Sequence, residues 1–145
     1  MIKRREFIAG LGYAAAWPVV ARAQQRAIPV IGYLSAAGES AQQSRRAAFL
    51  QGLSELGFVE GRSVEILYLY ADSQYDRLRT LAADLVRRRV SVIVAVGSPA
   101  SSRAAKSEPA TIPVVFVTGM DPVAAGLVAT LNRPGWPAVK IHPPR

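Results

Sequence analysis

From residue 29 onward, apolar runs alternate with stretches of helical spacing. Pro29 to Ser35 is short and apolar and predicts a first strand. Gln42 to Leu56 follows as a helix, with Phe49, Leu53 and Leu56 at i, i+4 and i+7 on one face, and Gly57 placed to end it. Ser63 to Tyr70 predicts a second strand, its mixed burial pattern suiting a sheet edge. Tyr75 to Arg88 carries Leu78, Leu81, Ala82, Leu85 and Val86 at i, i+3, i+4, i+7 and i+8, the clearest helical stripe in the chain. Val90 to Val96 is β-branched or small throughout, without polar alternation, as in a strand buried on both faces. Gly97 and Ser98 break that run, and Pro99 fits the first turn of a helix to about Lys106, capped by Ser98. Ile112 to Val117 predicts a fourth strand, and Val123 to Leu131 a short helix burying Ala124, Leu127, Val128 and Leu131.

Strand and helix thus alternate four times. Such βα units with right-handed crossovers build an open parallel α/β sheet with helices on both faces, of order 2-1-3-4. All four strands then end at one edge, where ligands bind in sheets of this kind. The loops there carry Ser35, Tyr70, Asp72, Gly97, Ser98, Thr118 and Asp121. Free N–H groups and hydroxyls suit a carboxylate, an aspartate an ammonium, an aromatic ring the apolar part of a small solute. Several of these residues also have local duties: Ser98 caps a helix, and Asp121 before Pro122 starts one.

Residues 1–23 read as an export signal rather than as part of the fold. Lys3-Arg4-Arg5 is a charged head, Ile8 to Val20 a mildly apolar segment, and Ala21-Arg22-Ala23 a small-x-small cleavage site. That apolar segment is far short of the roughly 20 residues that span a bilayer. Arg4-Arg5-Glu6-Phe7-Ile8 is similar to a twin-arginine export motif. The expected mature chain begins at Gln24 and works in the periplasm.

Of the formal charge of +8, residues 1–23 hold +3. The rest forms no Lys/Arg stripe with interleaved aromatics, so nucleic acid is not an expected partner. There is no cysteine, hence no disulfide or thiolate chemistry. The only histidine, His142, lies outside the α/β pattern, so no Ser/His/Asp set can be assembled from the strand ends. No phosphate-binding Gly-Lys-Thr loop, nucleophile elbow or metal-ligand spacing is present, and no catalytic residue or cofactor is expected. A flavodoxin-like or nucleotide-binding enzyme, or a signalling domain, shares the expected sheet and stands as the alternative.

Three blocks resemble the ABC-transporter substrate-binding proteins of the tryptophan-receptor-like family. They are the leader from Lys3 to Gln25, the segment Gln74-Tyr75-Asp76-Arg77-Leu78 through Leu81 to Val86, and Ile112 to Val117 with Asp121-Pro122-Val123, Gly126-Leu127-Val128 and Leu131 to Gly135. The resemblance implies a type I periplasmic binding fold, two lobes closing on a small-molecule solute, and delivery to an ABC permease at the inner membrane. It implies that Ser35, Gly97, Ser98, Thr118 and Asp121, with Tyr70 and Asp72 beside them, line the cleft from the first lobe. Residues 24–133 would form that lobe. After Gly135, where the family continues into a hinge and second lobe, this chain reads Trp136-Pro137-Ala138-Val139-Lys140-Ile141-His142-Pro143-Pro144-Arg145. Residues 134–145 are expected to be a tail without regular structure, and the chain to be half a receptor, incomplete or inactive as a binder.

Overall fold

The computed structural model describes residues 27–108 and 111–132 and the backbone of 138–140. The leader lies outside the described residues. Strands β1 (Val30–Ser35), β2 (Glu65–Tyr70), β3 (Val92–Val96) and β4 (Val114–Phe116) alternate with helices α1 (Gln43–Glu55), α2 (Arg77–Arg87) and α3 (Pro99–Ser107). A 3₁₀ turn, Ser40–Gln42, leads into α1. The four strands are parallel, as their alternation with helices requires, and lie in the order β2-β1-β3-β4.

The period of two along each strand sends alternate side chains to two cores. On one face Leu34, Ile93, Ala95, Val114 and Phe116 meet Leu78, Ala82 and Leu85 of α2 and Ala105 of α3. A Cβ on Gly32 would fall 2.8 Å from both Leu85 methyls, so the bare backbone of β1 is what lets α2 approach. On the other face Ile31, Tyr33, Ile66, Val94 and Val96 are covered by Phe49, Leu50 and Leu53 of α1. This face is thinly covered, since α1 has no fully buried residue.

Local chemistry explains the element ends. Helix α1 closes in a Schellman arrangement. Gly57 takes φ of 84°, its N–H donates to the Ser54 carbonyl at 2.9 Å, and the Phe58 N–H reaches back to the Leu53 carbonyl at 2.9 Å. The reversal carries Leu56 out of the expected face, leaving it 76% exposed. At α2 the cationic C-terminus folds back on its own helix, Arg87 and Arg88 pairing with Asp84 at 3.0 and 2.8 Å.

Two expectations are corrected. Residues 122–126 form turns, not a helix through Leu131. The Ala125 N–H donates to the Asp121 carbonyl at 2.9 Å, but Gly126 then adopts φ of 69° and ends the helical path after one turn. Leu127 and Val128 still enter the core, whereas Ala124 and Leu131 are exposed. The second difference is in the tail, where Ala138–Lys140 forms a strand, β5, paired parallel to β4. The open hydrogen-bonding edge of β4 accepts any extended segment in reach, which hydropathy alone does not reveal. The rest of 134–145 lies outside the described residues.

Candidate functional site

Parallel pairing brings the strand ends into line: Ser35 is in register with Tyr70 on one side and Val96 on the other, and Ala95 with Phe116. A cleft of about 230 Å³ opens there. Its walls are Val96 to Pro99 after β3, Val117 to Met120 after β4, and Arg45 from the first turn of α1.

Gly97 is the floor. Its φ is 88°, a conformation that side chains resist. A Cβ there would lie 3.0 Å from Gln42 Nε2 and 3.2 Å from Ser35 Oγ. Ser98 caps α3, the Ala100 N–H donating to its Oγ at 3.2 Å with Pro99 in the first turn. The helix N-terminus therefore faces the cleft with its positive end. Across from it, the Met120 N–H donates to Thr118 Oγ1 at 3.1 Å, which holds the loop after β4 in a tight turn.

The other sequence-predicted residues fall elsewhere. Ser35 lies beneath the floor, fully buried, its Oγ accepting from the Ala37 N–H at 3.1 Å. Asp121 is exposed beyond the cleft wall and caps the following turn, with the Val123 N–H donating to Oδ1 at 2.8 Å. Tyr70 ends the edge strand β2 and Asp72 lies in the loop after it, and β1 and β3 separate that strand from β4. The Asp72 loop is tied to the end of β1 by the Ser73 N–H, which donates to the Ala36 carbonyl at 2.8 Å, and its carboxylate faces Arg77 at 3.8 Å. Gly97, Ser98 and Thr118 are thus brought together; Asp121, Tyr70 and Asp72 are not among the residues lining the cleft.

Sequence reasoning missed Arg45 and Gln42. Gln42 is 1% exposed, and its Oε1 accepts no hydrogen bond among the described residues. Arg45 is the one charged side chain among the described lining residues. A signal for it existed in the sequence: cations in the first turn of a helix oppose the dipole. Its neighbour Arg46 compensates by pairing with Glu39 at 2.8 Å and lying over the Tyr68 ring at 4.7 Å. Beneath α1, Tyr33 contacts Tyr68 and Tyr70 at centroid distances of 5.5 and 6.3 Å. Burial pushes the Tyr33 and Tyr68 phenols above the ordinary value. Among the described residues no group of three or more His, Cys, Asp or Glu could hold a metal ion, and no helix is long and apolar enough to cross a membrane.

Comparison with known proteins bears on the sequence and on the fold. The model of the family "ABC transporter substrate binding protein" matches residues 28–137. A tyrosine-binding protein of Clostridioides difficile is 30% identical over 87 residues, which are 60% of this chain and 25% of that protein. The ligand-free, open structure of a substrate binding protein with adhesive properties from Clostridium difficile superposes with a TM-score of 0.71 at 28% identity. An ABC domain from Streptococcus pneumonia in complex with L-Trp gives a TM-score of 0.70 at 21% identity, a likeness of fold. Both superpositions cover 78% of this chain and 38% of the other. The chain therefore spans about a quarter of the curated relative and under two-fifths of the solved structures. On the match over residues 28–137, the chain belongs to the ABC transporter substrate-binding protein family.

Proposed function

We propose that this lobe receives an aromatic amino acid at the cleft between the β3 and β4 ends, as the solute-binding component of an ABC importer, after export to the periplasm on the 1–23 leader. The observation that carries the reading is the joining of the Gly97-Ser98 turn, the α3 N-terminus and Thr118 around one cleft. The tyrosine-binding relative supports the choice of solute. The lobe supplies one side of a ligand's surroundings, and tight sites of this size cover most of their ligand. The expected affinity of this chain alone is therefore in the millimolar range. Titrating the isotopically labelled chain with L-tryptophan, L-tyrosine, L-leucine and glucose tests it. The aromatic amino acids should shift the amide signals of Gly97, Ser98 and Thr118. No response to any of them at millimolar concentration would remove the solute-binding reading. For localisation, the mature product should begin at Gln24 in an osmotic-shock fraction.

A further inference from the structure

We infer that Arg45 makes this lobe a carboxylate-selective half-site: it grips the acid group of the solute and leaves the amine unrecognised. The inference rests on the solute-binding reading and sharpens it. Arg45 lines the same cleft as Ser98 and Pro99 at the start of α3, so a guanidinium and the positive end of a helix border one space. Both favour an anion, and a planar carboxylate matches the fork of an arginine. The Arg45 guanidinium has no ion-pair partner among the described residues, whereas Arg46, on the same helix, pairs with Glu39. A cation in the first turn of α1 works against the helix dipole, and among the described residues no acidic side chain in that turn offsets it for Arg45.

Beside it, Gln42 presses its amide against the Gly97 turn with Oε1 unpartnered and the side chain buried. The acids that a zwitterion's ammonium would need are engaged elsewhere: Asp121 with the Val123 N–H, Asp72 with Arg77, Glu39 with Arg46. The cleft therefore presents positive charge and no carboxylate of its own.

Three probes of one shape separate the groups: L-tryptophan, 3-(indol-3-yl)propionate, which lacks the amine, and tryptamine, which lacks the acid. Each is titrated into the 145-residue chain at fixed ionic strength, following the Gly97 and Ser98 amides. Tryptophan and the propionate should bind alike, and tryptamine about tenfold more weakly or worse. Arg45→Gln should weaken the two acids about tenfold without changing tryptamine, and Arg45→Lys should restore part of the loss. Tryptamine binding as well as tryptophan, or acids indifferent to Arg45→Gln in a variant with an unchanged amide spectrum elsewhere, overturns the inference and leaves the solute-binding reading standing. Silence from all three probes overturns both.

Discussion

At Gly97 two separate constraints meet in one residue. The backbone sits at φ of 88°, and the space a side chain would need is held by Gln42 and Ser35. Gly97→Ala must therefore strain the backbone and displace a buried amide. The expected cost is about 1–3 kcal/mol, read as a lowered midpoint in urea unfolding, together with shifted amide signals at Ser98. A variant as stable as the parent would show that the turn can relax. The glycine was visible in the sequence as a break after a buried strand. Its crowding was not, because Gln42 and Ser35 arrive from other elements.

The helices differ in what holds them. Helix α3 depends on its ends: Ser98→Ala removes a cap worth about 1 kcal/mol and should shift the thermal midpoint down by several degrees. Helix α2 depends on its face. Leu85 is fully buried against Gly32 of β1, so Leu85→Ala should cost about 2–5 kcal/mol in the same unfolding assay, several times the loss of the cap. Equal losses for the two variants would contradict this division. The α2 stripe was legible because its period repeats over the whole helix. The turn at 122–126 was misread because its spacing is also helical, while Gly126 adopts a positive φ. In α1, Leu56 falls on the periodic face only if the helix continues, and the Gly57 reversal stops it.

At the scale of the whole lobe, the sheet divides a well-covered face from a thin one. The thin face under α1 holds Tyr33 and Tyr68, whose phenols burial keeps protonated above the usual 10.0. In the unfolded chain they ionise near that ordinary value. Their preference for the neutral folded state is thus fully present below pH of about 10 and is lost as pH rises above it through the raised folded values. Stability should fall with alkaline pH in that window. Absorbance titration at 295 nm should show these phenols ionising late in the folded chain and normally in urea. Ordinary titration of every tyrosine in the folded chain would mean that the face under α1 is open to water.

Neighbours along the chain already specify much of this lobe. That includes the alternation of strand and helix, and hence a parallel sheet, the Gly97-Ser98 break, the Ser98 cap and the Gly57 stop. Periods of 2 and 3.6 residues and the chemistry of turns are local, and they suffice for these features. Which strand ends share a cleft, and what else reaches it, depends on how distant elements pack. The strand order sets the end of β2, with Tyr70 and the Asp72 loop, apart from the cleft, and it leaves β4 an edge on which Ala138–Lys140 pairs. Packing α1 across the sheet carries Arg45 and Gln42 to the Gly97 turn, more than fifty positions away in sequence. Such contacts are fixed by the burial of Phe49, Leu50 and Leu53 against the far face of the sheet, and no pattern within α1 records what its polar side will meet.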